Sequence, residues 1–422
     1  MTVIPMTLKA AMGPEGLIID GDWVESKDQD PDGDVRLIQL ADIGDGNYIN
    51  KSGRYLTSVK AIELRCTFLK PGDVLISRMA DPIGRACVFP GDPKPCVTVV
   101  DICVARPDRN SVIAEWLKYA INEPRFRATV LSQAIGATRP RISGKNLQSM
   151  TINVPQLDVQ KRVADLLSRA ENIVLMRREA EQKAKKIIPA LFLDMFGDPS
   201  TNPKGWAIRR LGDIVERFEG GKNIQEGAAN DSEFRILKIS AVTSGIYNES
   251  EAKPAPSGFD PPNHYLVRKG DLLFSRANTE ALVGASAIVM STDGKSLLPD
   301  KLWRLVWRAG EEVHSAYMLA LLQNTSVRRW LSQLASGTGG SMKNISQAKL
   351  AELKLPIAPS ELQQAFHERL IGVQALLSRA AQASRVADQS FRSLLAGAFG
   401  GGEGKIQSGR RHEGPTDRNV EI

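Results

Sequence analysis

Cysteine and histidine are scarce in this chain, at four each among 422 residues. Cys66, Cys87, Cys96 and Cys103 all lie in the first half, and none forms a Cys-x-x-Cys pair. That excludes a disulfide framework and a zinc site, and leaves buried or incidental thiols in a reducing cytoplasm. His264, His314, His367 and His412 are not spaced as metal ligands or as part of a Ser-His-Asp arrangement. No Gly-x-Gly-x-x-Gly occurs, so a dinucleotide or methyl-donor turn is not expected either. No apolar run reaches the ~18 residues that a membrane span takes. The start of the chain, interrupted by Pro5, Lys9 and Pro14, does not read as a signal peptide. The expectation is a cytoplasmic protein with no cofactor, no metal and no membrane contact.

What the chain does have is ordinary globular composition, 42% hydrophobic and 24% charged, with a basic balance of +7 and a pI near 9.2. The length allows two or three domains, each able to bury a core. The charge leans weakly toward a polyanionic partner.

It also has an internal repeat. Ile142–Gln160 recurs as Ile345–Gln363, an offset of 203 residues that persists to Phe196-Gly197 and Phe399-Gly400. Further upstream, the run from Gly72-Asp73 to Ser77-Arg78 recurs from Gly270-Asp271 to Ser275-Arg276, and Arg36–Gly46 recurs as Arg235–Gly245. A period near 200 is too long for a solenoid and means two homologous domains in tandem.

Each repeat opens with a mixed α/β head. In the first, Val35–Ile43, Val74–Ser77, Ala86–Phe89 and Val97–Val104 read as strands, and Ser111–Asn122 and Pro124–Ile135 as helices. In the second, Phe234–Val242, Asp271–Ser275, Ala285–Met290 and Leu302–Trp307 read as strands, and Ser315–Leu322 and Ser326–Ser336 as helices. A long amphipathic helix follows each head. Asp158 is a candidate N-cap, and Pro189 should end or kink the first helix near Ile188. Asp158–Ile188 would be ~46 Å of helix at ~1.5 Å per residue. A narrow apolar stripe of that length predicts pairing with its own repeat copy, antiparallel, as a coiled-coil rod with pseudo-two-fold symmetry. The expected fold class is thus two homologous α+β domains separated by two long antiparallel helices. The expected boundaries are 1–157 and 198–360 for the heads, 158–197 and 361–400 for the helices, and 401–422 for a disordered tail.

Three segments resemble catalytic motifs. Asp260-Pro261-Pro262-Asn263 has the Asp-Pro-Pro of adenine methyltransferases, but Asn263 cannot stack on a base as the usual aromatic does. Pro299-Asp300 with Glu352-Leu353-Lys354 has nuclease-like residue types, yet the gap is long and the first repeat lacks them. The segment from Ser336 to Lys343 is glycine-rich without being a nucleotide loop, and its repeat partner is Gly136–Ser143. Small, flexible, basic loops of this kind suit DNA phosphates, and they serve equally as linkers from head to helix.

Two heads, each followed by Ile-Ser, a Pro-x-x-x-x-Gln segment and a long helix ending in Phe-Gly, resemble the specificity subunit of Type I restriction–modification systems. Trp206, Leu211-Gly212-Asp213-Ile214 and Gly220-Gly221-Lys222 resemble the usual opening of such a head. The sequence departs in two places. The first head offers only Thr7-Leu8-Lys9 for that opening, and Ala358 stands where Pro155 does, with Pro356 and Pro359 nearby. The resemblance implies that each head is a target-recognition domain reading one half of a bipartite site on double-stranded DNA, mainly from the major groove. It implies that the helices set the gap and dock two modification (methyltransferase) subunits, that restriction subunits complete the complex, and that this chain does no chemistry. The alternative is a DNA-modifying enzyme, an adenine methyltransferase or a nuclease, with a divergent site. Charge or amide character and loop position nominate DNA contacts. In the first head these are Lys51, Arg54, Arg78, Arg85, Arg139, Arg141 and Lys145; in the second they are Lys222, Asn223, Arg276, Lys301, Lys343 and Asn344.

Overall fold

The computed structural model describes residues 3–79, 82–227, 232–337 and 342–400; the tail expected at 401–422 lies outside the described residues. The chain divides into two compact units, Met1–Arg177 with Ala383–Ile422, and Arg178–Gln382.

The first unit contains β1 (Val3–Thr7), α1 (Leu8–Ala11), β2 (Leu17–Asp20), β3 (Val35–Ile38), β4 (Tyr55–Leu56), α2 (Ser58–Glu63), β5 (Val74–Ser77), β6 (Ala86–Val88), β7 (Cys96–Thr98) and β8 (Ile102–Arg106). Then come α3 (Ala114–Asn122), α4 (Pro124–Ser132), α5 (Gly144–Ser149), β9 (Thr151–Pro155) and the start of α6 (Leu157–Ala184). A four-stranded sheet has the order β2-β8-β5-β6, a three-stranded sheet has the order β4-β3-β7, and β1 pairs with β9. Because side chains alternate along a strand, β5 serves two cores. Val74 and Ile76 join Trp116, Leu117 and Ile121 of α3, and Leu75 joins Ile38, Ile43 and Val104 toward the smaller sheet. Burial on both faces accounts for the unbroken apolar runs in the sequence. It also explains why Val97–Val104, expected as one strand, is two. The chain turns at Val99–Asp101, with Ile102 N–H on the Val99 carbonyl at 3.0 Å, and passes from the three-stranded to the four-stranded sheet.

The second unit repeats this plan with α7 (Ile187–Phe196), β10 (Ala207–Arg210), α8 (Leu211–Ile214), β11 (Val215–Gly220), β12 (Arg235–Leu237), α9 (Ser240–Thr243), β13 (Ala252–Pro254), β14 (Leu272–Ser275) and β15 (Ala277–Asn278). It continues through β16 (Ser286–Ile288), β17 (Ser296–Leu297), β18 (Leu302–Trp307), α10 (Ser315–Gln323), α11 (Thr325–Leu334), β19 (Lys343–Asn344), α12 (Gln347–Ala351), β20 (Lys354–Ile357) and the start of α13 (Ser360–Phe399). Its sheets run β11-β18-β14-β16 and β13-β12-β17. The strand expected over Phe234–Val242 ends at Leu237, and the segment turns helical from Ser240.

The structure assigns a task to most of the repeated residues. Ile142 and Ile345 are fully buried, and the following serines cap the next helix: Ser143 accepts from Asn146 N–H at 3.1 Å and Ser346 from Lys349 N–H at 3.3 Å. Gly72 and Gly270 sit at positive φ, +94° and +91°. In these turns Asp73 and Asp271 each accept a backbone N–H three residues back and each hold an arginine of the neighbouring strand, Arg106 at 2.6 Å and Arg304 at 2.8 Å. Thr7-Leu8-Lys9, a weak match in sequence, is the true counterpart of Arg210-Leu211-Gly212. Leu8 N–H bonds the Met150 carbonyl as Leu211 N–H bonds that of Leu353, and both leucines are fully buried.

Gln160 and Gln363 are the anchors of the long helices, 0% and 1% exposed. The Gln160 side-chain oxygen accepts Ile113 N–H at 2.9 Å, and its amide donates to the carbonyls of Pro155 at 2.9 Å and Ser111 at 3.2 Å. Gln363 accepts His314 N–H at 2.9 Å and donates to the Ala358 carbonyl at 2.8 Å. The carbonyl serves at both positions, and Ala358, unlike Pro155, also has an N–H, which bonds the Tyr317 hydroxyl at 3.3 Å.

The helix that Pro189 was expected to interrupt near Ile188 breaks slightly earlier, between Ala184 and Ile187. Proline has no N–H to give the carbonyl four residues back, which is that of Lys185. Pro189 itself sits inside the first turn of α7, where no such bond is needed. The second helix has no proline and runs 40 residues unbroken, ~60 Å at ~1.5 Å per residue. Each unit holds the first part of one long helix and the last part of the other. In the first unit, α6 leaves the head at Gln160 while α13 ends on it, so the two run in opposite senses. Phe399 lies 5.7 Å from Trp116, and Leu395 packs with Leu167 and Tyr119. In the second, Phe196 lies 4.8 Å from Tyr317 and 5.4 Å from Phe366. Among the described residues no helix is long and apolar enough to cross a membrane. All four cysteines are free and buried, and burial pushes the Cys66 thiol up to about 11 and the other three to about 12.

Replacing Gln160 with alanine removes the partner of one partly buried N–H and two partly buried carbonyls. Unsatisfied buried groups cost about 1–3 kcal/mol each. Gln160→Ala should therefore lower the stability of the first unit by roughly 2–4 kcal/mol in urea titrations, with faster hydrogen exchange at Ile113. A change too small to measure would show that the amide does not hold the helix.

Candidate nucleic-acid interface

In each head, four segments that are distant in sequence converge on one surface. In the first head the segment after β2 crosses the turn before β8. Gly21 N–H bonds the Ile102 carbonyl at 2.7 Å and Asp22 N–H that of Thr98 at 2.9 Å. A Cβ at Gly21 would run into the Val99 carbonyl, so the approach requires glycine. The exit of β5 joins them, with Arg78 N–H on the Asp101 carbonyl at 2.9 Å. Fourth is the loop between α4 and α5, a hairpin closed by reciprocal bonds of 2.9 Å between Ile135 and Arg141 and bridged to Met79. The second head repeats the arrangement. Gly221 N–H bonds the Pro299 carbonyl at 3.1 Å, Arg276 N–H that of Lys301 at 3.0 Å, and β15 pairs with β19. A Cβ at Gly221 would meet the Leu298 carbonyl.

This correspondence sets Asp22 against Lys222, Trp23 against Asn223, Asp101 against Lys301, and Arg141 against Asn344. Three of the nominated contacts in the second head, Lys222, Asn223 and Lys301, therefore share a surface with positions that were not nominated in the first, while Asn344 matches the nominated Arg141. Trp23 is the main omission. It is 67% exposed and lines an open cleft of about 420 Å³ with Asp22, Glu25, Gln29, Gln39, Arg54 and Asp101. Its indole N–H donates to Glu25 at 3.3 Å. No motif announced it; the signal was an aromatic two residues after a strand-end glycine, in register with Asn223.

The nominated residues divide by what they touch. Arg54 is exposed at the cleft, and its guanidinium donates to Gln29 at 2.8 Å. Lys51 is exposed on the same loop, which a buried carboxylate shapes: Asp42 accepts the N–H groups of Lys51 at 2.6 Å and Ser52 at 2.7 Å, and the Ser52 hydroxyl. Burial alone would raise the Asp42 carboxyl, yet these bonds and that from Gln39 hold it below its ordinary range. Arg139 and Lys145 are exposed on the hairpin and on the first turn of α5. Lys222 and Asn223 are exposed, Lys301 half-buried. Lys343 and Asn344 form the hairpin strand, donating to the carbonyls of Gly337 at 3.2 Å and Met342 at 3.3 Å.

Three nominated arginines hold the head itself. Arg78 is buried, paired with Asp20 at 2.6 Å and bonded to the carbonyls of Val100 and Ile142. Arg85 donates to the carbonyls of Ile43, Leu40 and Pro82. Arg276 bonds the Asp300 carbonyl at 2.7 Å and lies over the Trp303 ring at 5.6 Å. A guanidinium offers five donors in a fixed fork, which suits it to tying several carbonyls of a turn together. The enzyme-like motifs are engaged similarly: Asp300 takes Arg276, Glu352 pairs with Arg210 at 3.3 Å, and Asn263 accepts from Arg268. Among the described residues, no group of three or more His, Cys, Asp or Glu side chains could hold a metal ion.

Burial pushes the Asp22 carboxyl up to about 6, against hydrogen bonds from Thr67 N–H and the Cys66 thiol. An acid whose folded pKa is raised gives its full contribution to stability below its unfolded value, near 3.9, and loses it as pH rises through 6. Asp22→Asn should therefore raise the melting temperature of the first unit at pH 7.5 relative to the unchanged chain, and the difference should shrink at pH 5. Scanning calorimetry at the two pH values measures this; a constant difference would mean that Asp22 titrates normally.

The family model for the Type I restriction modification DNA specificity domain matches the chain twice, over residues 18–185 and 203–377, one match per head. The Type I restriction enzyme EcoEI specificity subunit of Escherichia coli is 29% identical over 204 residues, 47% of this chain and 34% of that protein. The putative Type I restriction enzyme MjaX specificity subunit of Methanocaldococcus jannaschii is 24% identical over 348 residues, covering 78% of this chain and 77% of that one. The first three curated relatives are matched over 34–60% of their own length. Among solved structures, the Type I restriction–modification S subunit of M. genitalium superimposes with a TM-score of 0.54 at 13% identity, covering 94% of this chain and 96% of that one. A chain from a study of complex assembly and conformational transition in the type I R-M system gives 0.58 at 16% identity, covering 94% and 97%. With both heads matched by the same model and most of the chain covered, the chain belongs to the family of Type I restriction modification DNA specificity domains.

Proposed function

We propose that this chain is the DNA-reading subunit of a Type I restriction–modification complex. Each head reads one half of a bipartite duplex target, and the long helices fix the gap between the halves. One observation carries this reading: the same four-segment surface recurs in both heads, while its aligned side chains differ. Backbone bonds match at the strand exit (Arg78 to Asp101, Arg276 to Lys301) and in the hairpin (Ile135 with Arg141, Ser336 with Asn344). The side chains set against one another are Asp22 and Lys222, Trp23 and Asn223, Asp101 and Lys301, and Arg141 and Asn344. A fixed frame with variable tips suits two readers of unlike sequence, because base edges in the major groove are distinguished by donor and acceptor pattern. Exposed Lys51, Arg139, Lys145 and Lys222 supply phosphate contacts, which position the duplex without specifying it. Half-buried Lys301 joins the phosphate contacts, and the candidate base contacts are Arg54, Arg141, Asn223, Lys343 and Asn344, to which Trp23, Gln29 and Gln39 are added.

The chemistry belongs to partners. Two modification subunits, docked on the helices, supply the methyl donor and flip the target adenine. Restriction subunits cleave, and the assembly works in the cytoplasm without this chain turning over substrate.

Mapping adenine methylation in the host with and without the gene should reveal a bipartite motif that vanishes on deletion. A continuous motif, or methylation by the purified chain alone, would overturn the reading. Inserting about one helical turn near Ala180 should change the gap and leave both half-sequences alone. If the half-sequences changed while the gap stayed, the helices would not be the ruler.

A further inference from the structure

The two reading surfaces carry opposite charge at matching positions. Strand register, Asp20 opposite Cys103 and Gly220 opposite Trp303, aligns Asp22 with Lys222, and the N–H bonds of Arg78 and Arg276 align Asp101 with Lys301. In the first head the central cations are already answered: Arg141 pairs with Asp101 at 3.1 Å and Arg78 with Asp20 at 2.6 Å. In the second, Lys222 and Lys301 have no ion-pair partner among the described residues, and Lys222 is exposed on a segment that the Gly221 contact pins against the Pro299–Lys301 turn. Both lysines stand on short, backbone-fixed segments, so the fold sets the point from which each ammonium reaches a phosphate. The first head has at this place an exposed indole, tethered to Glu25, beside the Gln29–Arg54 pair.

We propose that the heads divide the labour of DNA binding. The centre of the second head's surface is the electrostatic one, with Lys222 and Lys301 on backbone phosphates. The first head reads its half-site through an aromatic and hydrogen-bonding centre of low net charge, with Trp23 against the apolar edge of a base or sugar. This rests on the DNA-reading function above and adds to it which head draws salt-dependent affinity from the centre of its reading surface. Each phosphate neutralised on B-DNA contributes about 0.9 to the slope of log affinity against log salt. Apolar base contact contributes affinity without that dependence.

The test uses the full chain assembled with its modification subunits and a fluorescent duplex carrying the mapped methylation site. Affinity is measured between roughly 50 and 200 mM salt. The double variant Lys222→Ala/Lys301→Ala should flatten the slope by about 1.8, and Lys222→Arg/Lys301→Arg should restore it. Trp23→Ala should lower affinity about tenfold, in line with the loss of one aromatic–base contact, at an unchanged slope. An unchanged slope in the lysine variant, or a slope change for Trp23→Ala equal to it, overturns the division of labour. If the unaltered complex does not bind the duplex at any salt, the DNA-reading function itself falls.

Discussion

A buried glutamine amide joins each head to its helix, and the rest of the organisation depends on it. Gln160 bonds the start of α3, the loop before it and the end of β9 at once. An amide held on both its oxygen and its nitrogen fixes direction as well as position, which apolar packing alone does not. Because Gln160 lies in the first turn of α6, the course of the whole helix follows from its geometry. Gln363 does the same for α13 with two of the three bonds.

The far ends of the helices are fixed by another kind of contact. Phe196 and Phe399, offset by the repeat length, place an aromatic ring on Tyr317 and Trp116 of corresponding head helices. Burying a ring of this size contributes about 1.5–3 kcal/mol. Each head thus receives two helix ends, one polar-clamped and one apolar-docked, and the repeat retains in sequence the residues that make those two joints. The proline at 189 and its absence from the second helix show that the stretch between the joints is less constrained than the joints themselves.

The repeat made the two heads, the long helices and their joints legible from sequence alone, because burial and capping demand particular residue types at fixed offsets. Strand positions were read well where β5 and β14 bury both faces. They were misread where a run of similar hydrophobicity crosses from one sheet to the other, as at Val99–Asp101, since periodicity reports burial and not direction. The start of the first head was undervalued: Leu8 does the work of Leu211 with none of the surrounding motif. Reading-surface residues were legible only in part. Charge and loop position select Lys222 and Arg54 equally with Arg78 and Arg85, and only coordinates separate an arginine facing solvent from one tied to three carbonyls. Trp23 was invisible because a single aromatic in a sequence is more often core than surface.

A head exchange tests the central claim, that each head is a self-contained reader in a shared frame. Exchanging the first head from Leu8 to Met150 leaves the helix side of both joints, Gln160 and Phe399, in place, while their head-side partners Ser111, Ile113 and Trp116 are exchanged with the segment. Replacing it with the matching segment of a relative of known target, then sequencing the methylated sites in the host, should give a hybrid motif. One half should come from the relative, and the other half and the gap should be unchanged. Alteration of both halves, or of neither, would contradict the account.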